Sequence, residues 1–268
     1  MVAGGVSLAV REHAPAVPSA STAVLVHGLA SSARLWDGVA ARLVRAGHPT
    51  VAVDLRGHGE SDAPDTGYDT ATAADDLIAL IPHVSEAPVL LAGQSWGGNV
   101  VLQVAGRRPD LVAGLALVDG GWIHLAGRFD SWSDAEAQLT PSDIDGLPMA
   151  DFRGYVAAAL EDFPDGAVDA ASSVVRELDD GTIRRRLTVP RHMQILRSMW
   201  ADDPRRWYPL IQAPTVLMQA SADETVAADV QLAADSIRRA RVRPYPGAHH
   251  DLHLQRPDEV ADDIRSLE

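Results

Sequence analysis

Five short, nearly uninterrupted aliphatic runs constrain the fold of this chain more than any other feature of its sequence. Longer segments with helical spacing of apolar residues separate them, and a sixth run, residues 241–245, is predicted to be the last strand. Strands that are buried on both faces of a parallel sheet have this aliphatic character. Their alternation with helices, joined by right-handed crossovers, predicts an α/β fold with a mostly parallel, doubly wound sheet. The five runs are residues 22–26, 50–54, 88–92, 114–119 and 214–218.

One long segment, residues 121–206, interrupts this alternation. It contains no strand-like run, and it holds all three Phe, three of the six Trp and three of the five Met residues. An insertion so rich in large apolar side chains predicts a lid over a mostly apolar pocket. We therefore divide the chain into a core, residues 1–120 and 207–268, and an inserted helical cap, residues 121–206. Helices of the cap are predicted over residues 133–139, 149–160, 167–178 and 191–199.

Composition excludes several kinds of chemistry. The chain has no cysteine, and all 23 of its basic residues are arginine. A thiol nucleophile, a cysteine-based metal site, Schiff-base lysine chemistry and a P-loop lysine are therefore excluded. The formal net charge of −14 argues against nucleic acid or an anionic membrane as a partner. We find no targeting signal and no apolar stretch of membrane-spanning length, so we expect a soluble cytoplasmic protein, monomeric or homodimeric, with a small-molecule substrate.

The strongest local motif is G-x-S-x-G at residues 93–97, between a predicted strand and a helical stretch. A sharp strand-to-helix turn of this kind lifts the serine hydroxyl above the carboxyl edge of the sheet. Gly93 and Gly97 are expected there because neighbouring backbone leaves no room for a Cβ atom. Ser95 is therefore the candidate nucleophile. The amide of Trp96, at the start of the following helix, is a candidate oxyanion donor.

A serine needs a base to take its proton, and the candidates follow the last predicted strand. His249, His250 and His253 lie there. His253 comes four residues before Pro257, where a helix is predicted to begin, so packing is its expected role. The residues by themselves leave both His249 and His250 open.

The third group must be a carboxylate that holds the imidazole in one tautomer. Asp223 follows the predicted strand 214–218 and completes the chain order Ser, Asp, His. Asp119 is the alternative acid, because it ends the predicted strand 114–119 and also lies at the carboxyl edge of the sheet.

The turn after the first aliphatic run is expected to supply the second oxyanion donor. Gly28 lets the chain bend there and present the amide of Leu29. His27 precedes this turn, and a structural hydrogen-bonding role is expected for its ring rather than that of a base.

In combination, these motifs resemble those of the α/β-hydrolase superfamily over nearly the whole chain. An oxyanion loop with His27-Gly28 and a later Trp36, a D-x-R-G-x-G-x-S turn at residues 54–61 and the GQSWGG elbow occur in the family's order. The resemblance implies that the turn at residues 54–61 is structural. It also implies a helical lid inserted after the sixth core strand.

The resemblance also bears on the base and the acid. His250, seven residues before Pro257, matches the family's catalytic histidine and is therefore favoured over His249. By the same match, His253 falls on a noncatalytic position. Asp223 matches the family's acid, which follows the penultimate core strand.

Three positions depart from the family pattern. His249 and Ala220 stand where family members usually have glycine, and the second departure keeps Asp119 as the alternative acid. A tryptophan after the nucleophile, here Trp96, is common in haloalkane dehalogenases and epoxide hydrolases. Those enzymes use an aspartate nucleophile, so Ser95 argues against both of their reactions.

The residues and the resemblance together predict a serine hydrolase that cleaves a carboxylic ester or lactone of a small, largely apolar substrate through an acyl-enzyme. Ser95, Asp223 and His250 are its predicted catalytic residues, with Leu29 and Trp96 as oxyanion donors. No metal and no organic cofactor is expected. The alternatives are a carbon–carbon bond hydrolase, a thioesterase or a perhydrolase with the same residues, or a nonenzymatic ligand-binding or receptor use of the fold.

The arginines of the predicted cap leave open whether the substrate carries a carboxylate. They could bind a carboxylate of the substrate, although in a chain without lysine arginines more commonly cover the solvated faces of helices. These residues are Arg184, Arg185, Arg186, Arg191 and Arg197.

Overall fold

The sheet that the aliphatic runs predict is present and has seven strands. The structure is a computed structural model that describes residues 1–3, 5–220 and 223–268. The order across the sheet is β11-β10-β7-β6-β4-β5-β3, and all neighbours are parallel except β3, which runs antiparallel to β5. The described strands are β1 Val2–Ala3, β2 Val6–Ser7, β3 Val10–His13, β4 Ala23–Val26, β5 Thr50–Val53, β6 Val89–Gln94, β7 Val112–Val118, β8 Val175–Glu177, β9 Ile183–Arg185, β10 Thr215–Gln219 and β11 Ala240–Pro244.

Burial along the strands follows their position in the sheet. Every residue of the central strands β4, β5 and β6 is buried, which agrees with their unbroken aliphatic sequence. Strand β11, which corresponds to the less apolar sixth run, lies at one edge of the sheet and is mostly exposed. The doubly wound α/β prediction is confirmed.

Helices cover both faces of the sheet. Successive side chains of a strand point to opposite faces, so Leu25 packs with Leu43 and Ile264 in one core, whereas Val26 packs with Leu77 in the other. No helix in the described part of the chain is long and apolar enough to cross a membrane. The described α-helices are α1 Asp37–Arg45, α2 Thr70–Val84, α3 Trp96–Arg107, α4 Trp132–Leu139, α5 Met149–Ala159, α6 Ala167–Ser172, α7 Val189–Ala201, α8 Glu224–Ser236, α9 Leu252–Gln255 and α10 Pro257–Arg265.

The insertion that was predicted after the sixth core strand lies between β7 and β10. In chain order β7 is the fifth strand of this sheet, because the sheet begins with β3. We call residues 121–206 the cap segment. Each of its four predicted helical stretches contains a helix, namely α4, α5, α6 and α7. The division of the chain into two domains at these limits stays a prediction.

The cap segment also contains a β-hairpin that we did not predict. Strands β8 and β9 pair antiparallel, and α6 ends at Ser172 instead of continuing to residue 178. Strands of three residues are too short to show an alternating pattern, and the same holds for the short N-terminal strands β1 to β3. The sequence signal for this hairpin is the glycine at position 181. In the structure Gly181 has a φ of 78° and its amide donates to the Leu178 carbonyl (2.9 Å), as in three-residue hairpin loops.

The turn after β5, residues 54–61, is held by buried charged groups. The two carboxylate oxygens of Asp54 accept from the amides of Ala33 (2.7 Å) and Glu60 (3.0 Å). Arg56 donates through Nε and Nη2 to Asp76 of α2, both at 2.6 Å, and both side chains are buried. Burial raises the pKa of Asp76 in spite of these bonds, so the pair is costly to desolvate. These contacts agree with the structural role that the resemblance implies for this turn.

Replacing Asp76 by Asn is expected to lower the free energy of unfolding by about 3–5 kcal/mol, because Arg56 is then buried without its counter-charge. Urea unfolding followed by circular dichroism measures the loss. The matched control is Asp75→Asn, since Asp75 pairs with Arg107 at the surface and its loss is expected to cost less than about 1 kcal/mol. Equal losses in the two variants would contradict a special role for the buried pair.

Candidate active site

Ser95 lies in the sharp turn between β6 and α3 that the motif predicts. Its φ of 53° is in the left-handed region, which is strained for a residue with a side chain. Two backbone hydrogen bonds hold this conformation. The Ser95 amide donates to the Val118 carbonyl of β7 (3.0 Å), and the Ser95 carbonyl accepts from the amide of Gly98 (2.9 Å). The turn therefore fixes Ser95 at the carboxyl edge of the sheet.

Glycines on both sides of Ser95 permit close packing of this turn. A Cβ atom on Gly93 would overlap the backbone of Gly97, and a Cβ atom on Gly97 would overlap the carbonyl of His27. The start of α3 therefore packs directly on the loop that follows β4. This confirms the steric reason given for the two glycines.

His27, in that loop, is a buried structural residue, as predicted. The geometry assigns its Nδ1–H as donor to the Gly28 carbonyl (2.7 Å) and its Nε2 as acceptor from the Leu55 amide (3.0 Å). Burial lowers the pKa of His27, so the ring is neutral at neutral pH. Because both ring nitrogens are bonded to backbone, neither is available to take a proton from Ser95.

The two amides proposed as oxyanion donors flank this junction. Trp96 is the first residue of α3, and amides in the first turn of a helix have no acceptor within it. The residue after Leu29, Ala30, has a φ of 56° and donates its amide to His58 Nε2 (3.2 Å). These bonds fix the backbone on either side of the Leu29 amide. The role of Leu29 and Trp96 in holding an oxyanion stays a prediction.

His250 follows β11, and its ring lies against the carboxylate of Asp119. His250 Nδ1 and Asp119 Oδ2 are 2.6 Å apart, and Asp119 Oδ1 accepts from the amide of Ala220 (3.0 Å). The Asp119 side chain is nearly buried, whereas the imidazole is half-exposed. The His250 carbonyl accepts from the side chain of Gln94, the residue before Ser95 (3.2 Å). The acid–imidazole pair is thus joined to the nucleophile turn.

Asp223, the acid preferred from the sequence, occupies a different position. Its Oδ1 accepts from the amides of Thr225 (2.9 Å) and Val226 (3.2 Å), so it caps the N-terminus of α8. The hydrogen bond to His250 that was assigned to Asp223 is made by Asp119, the alternative acid. The physical reason is the sheet order, which places β7 between β6 and β10. Asp119 therefore emerges beside the nucleophile strand, and its φ of 43° lies in the left-handed region.

Asp119 also determines the protonation behaviour of His250. Burial by itself lowers the pKa of the ring, but the hydrogen bond and the charge of Asp119, together with the charge of Asp251, outweigh it. The pKa of His250 is consequently raised above its ordinary value. A carboxylate in this position stabilises the imidazolium that forms when the ring accepts a proton.

The neighbouring histidines have other contacts. His253 is buried with its ring centroid 4.5 Å from that of Trp36, and burial lowers its pKa to about 4. This confirms its predicted packing role. His249 is exposed, accepts from the Asp251 amide (3.0 Å) and lies edge-on to Phe163 of the cap segment. Within residues 1–3, 5–220 and 223–268, no three or more His, Asp or Glu side chains are grouped so that they could hold a metal ion.

Asn99 is a functional candidate that sequence reasoning missed. Its side chain lies in the first turns of α3, where it donates to the Ile123 carbonyl (2.7 Å) and accepts from the Gly121 amide (3.0 Å). It thereby fixes the loop that continues from Asp119. The sequence feature that could have identified Asn99 is its position four residues after Ser95, where a polar side chain lies on the buried start of the same helix.

A chain of hydrogen bonds joins the nucleophile turn to the cap segment. The Trp96 indole donates to Thr70 Oγ1 (3.1 Å), and the Thr70 amide donates to Ser198 Oγ of α7 (2.9 Å). The acid–imidazole pair also lines a cavity of about 470 Å³, together with Arg128, His249 and apolar side chains that include Trp122, Ile123 and Val226. The site thus combines a polar centre with partly apolar walls.

Comparisons with known proteins identify the family and the fold. A family model described as the alpha/beta hydrolase family matches residues 23–263. The 2-(acetamidomethylene)succinate hydrolase of Mesorhizobium japonicum is 25% identical over 261 residues, covering 95% of this chain and 89% of the relative. A non-heme haloperoxidase of Rhodococcus erythropolis is 26% identical over 256 residues, covering 90% and 89%. The solved structure of an E-2-(acetamidomethylene)succinate hydrolase is similar in fold, with a TM-score of 0.81, 24% identity and coverage of 98% and 95%.

Proposed function

Because the chain belongs to the alpha/beta hydrolase family, we propose that it is a serine hydrolase with Ser95 as nucleophile, His250 as general base and Asp119 as the acid that orients the base. The observation that carries this proposal is the 2.6 Å contact between His250 Nδ1 and Asp119, joined to the strained turn that holds Ser95. Asp119 replaces Asp223 in the proposed triad, because it is the carboxylate bonded to the imidazole.

The proposed mechanism gives each of these groups one role. His250 Nε2 takes the proton of Ser95 as its Oγ attacks a carbonyl carbon, and Asp119 stabilises the resulting imidazolium. The amides of Leu29 and Trp96 hold the oxyanion, and each is worth about 3–4 kcal/mol of barrier. His250 then protonates the leaving alcohol, and a water molecule repeats the sequence on the acyl-enzyme.

We propose a carboxylic ester or lactone of a small acid as the substrate. A serine nucleophile suits acyl transfer, and the side chains of Trp122, Ile123 and Val226, in the cavity that also contacts Asp119 and His250, suit an apolar part of the acyl or alcohol portion. The intact Ser95, His250 and Asp119 set supports an enzyme over a nonenzymatic receptor. The relatives named above are a hydrolase and a haloperoxidase, so the bond that is cleaved must be tested directly.

Turnover of short p-nitrophenyl esters by the wild-type protein tests this proposal, and its pH dependence tests the base. We expect kcat/KM to fall as the pH is lowered through the pKa of His250, because only the neutral ring accepts a proton. Since Asp119 raises this pKa, the midpoint is expected above the value of about 6.5 for an ordinary histidine. Absence of turnover on acyl esters and lactones alike would contradict the function. A midpoint below about 6.5 would contradict the assigned base.

A further inference from the structure

A second, smaller cavity lies between the loop after β4 and the hairpin of the cap segment. Its polar lining comes from Ser31 and His58 on the core side and from Arg185 and Arg186 on the cap side. We call it the hairpin cavity. With a volume of about 20 Å³ it has room for a group of a few atoms but not for a whole substrate.

Two buried polar atoms in this lining have no hydrogen-bond partner. They are Ser31 Oγ and Arg185 Nε, and neither has an acceptor or donor among the residues that the structure describes. Buried polar groups in proteins are nearly always bonded, because leaving one unpaired costs about 1–3 kcal/mol. Both atoms can donate a hydrogen bond, so an acceptor oxygen is the kind of group that would satisfy either of them.

The guanidinium of Arg185 has no ion-pair partner among the described residues. Its Nη2 donates to the Ser142 carbonyl, and the carboxylate of Asp145 accepts from the Arg185 backbone amide (2.7 Å) and not from its side chain. The adjacent Arg186, in contrast, pairs with Glu60 at 2.6 Å and donates to the Gly59 carbonyl at 3.0 Å. Of the two arginines that line the hairpin cavity, Arg185 is therefore the one without an ion pair among the described residues.

The nearby histidines add no charge to this cavity. Burial lowers the pKa of His58 well below its ordinary value. Burial, followed by the charge of Arg185, lowers the pKa of His192 on α7 to about 4. Both rings are thus neutral at neutral pH. An anion is the ligand that such a lining favours.

The hairpin cavity adjoins the proposed oxyanion donors. Ser31 is two residues after Leu29, which limits their Cα separation to about 7 Å. His58, which lines the cavity, accepts from the Ala30 amide at 3.2 Å and stacks on the Trp96 ring with centroids 5.8 Å apart. A group in this cavity can therefore belong to the same small molecule whose carbonyl lies at Ser95.

We infer that the hairpin cavity binds a free carboxylate of the substrate, with Arg185 and Ser31 donating to its oxygens. The substrate would then be an ester or lactone of an acid that carries a second, ionised carboxyl group. This inference rests on the proposed hydrolase function and specifies its substrate class. It assigns a role to one of the cap arginines and leaves Arg184, which is exposed on the same strand, outside the site.

A matched pair of esters tests the inference. The p-nitrophenyl half-ester of succinate and p-nitrophenyl butyrate have acyl chains of the same length, and only the first carries a carboxylate. After subtraction of uncatalysed rates, wild-type kcat/KM is expected to be about 10- to 100-fold higher for the half-ester, the usual worth of a hydrogen bond to a charged group. Arg185→Gln is expected to abolish this preference, whereas Arg184→Gln should leave both rates unchanged. Ser31→Ala, a smaller change, should reduce the preference and serves if Arg185→Gln fails to fold.

A binding measurement separates this inference from the catalytic proposal. Monomethyl succinate is expected to raise the melting temperature of the Ser95→Ala protein, and not that of Ser95→Ala with Arg185→Gln. If monomethyl succinate raises the melting temperature but neither ester is hydrolysed, the hydrolase function is overturned and the carboxylate site is kept. Equal wild-type rates on the two esters without a shift would overturn the site. An equal loss of both rates in Arg185→Gln would also overturn the site. That result would indicate a structural role for Arg185 and a cavity that holds only water.

Discussion

Replacing Ser95 by Ala is expected to lower kcat on p-nitrophenyl esters by a factor of about 10⁶, since removal of the nucleophile of a serine triad costs about as much as removal of the whole triad. The same change should abolish covalent labelling by a fluorophosphonate probe. The reason is chemical, because the proposed base, acid and oxyanion donors have no hydroxyl left to activate. Ester turnover and gel detection of the labelled protein measure the two effects.

Ser85→Ala is the control for this experiment. Ser85 follows α2, and its hydroxyl donates to the nearby Ala87 carbonyl (2.7 Å), so labelling and turnover should both be retained. Circular dichroism of both variants separates loss of chemistry from loss of fold. Labelling that persists in Ser95→Ala would place the nucleophile elsewhere in the chain.

Asp119→Asn and Asp223→Asn are expected to differ strongly. Asp119→Asn should lower kcat by about 10⁴, because an amide holds the imidazole in the wrong tautomer and does not stabilise the imidazolium. It should also move the acid limb of the pH profile to lower pH, since the charge and hydrogen bond that raise the pKa of His250 are lost. The pH dependence of kcat/KM in each variant measures both effects.

Asp223→Asn is the matched comparison in that experiment. Asparagine caps helices about as well as aspartate, so α8 should keep its cap and kcat should stay within about threefold of the wild type, because the His250 Nδ1 bond to Asp119 is untouched. An unshifted acid limb is expected. If Asp223→Asn were the more damaging change, the acid assignment made from the geometry would fail.

The sheet and the nucleophile turn were predictable because their signals are contiguous in the chain. The first three aliphatic runs correspond to β4, β5 and β6, in which every residue is buried. An apolar side chain indicates burial at its own position, without information from the rest of the chain. The cap hairpin was missed because two three-residue strands carry no period, and only pairing across a loop creates them. Ser172 ends α6 where composition alone gave no reason for a helix to stop.

Within the site, the identity of the acid could not be predicted from the sequence. Chain order and the family pattern both favoured Asp223, whereas the position of Asp119 at the end of the predicted strand 114–119 and the departure at Ala220 kept Asp119 as the alternative. In the structure the amide of Ala220 donates to Asp119 Oδ1 at 3.0 Å, so that residue does participate in the acid's environment. The order of the strands in the sheet decides which carboxylate lies beside His250. The linear sequence does not show which strands are neighbours.

The sequence by itself determined the α/β class and the turn that presents Ser95, since each depends on residues close together in the chain. It also predicted the structural role of His27, although one of the bonds to that ring comes from Leu55, 28 residues away. Only the tertiary structure decided that Asp119 contacts His250, that Asn99 holds the loop after Asp119, and that Arg185 faces a cavity beside the oxyanion loop. The physical reason is that hydrogen bonds and ion pairs act over about 3 Å, whereas Asp119 and His250 are 131 residues apart in the chain.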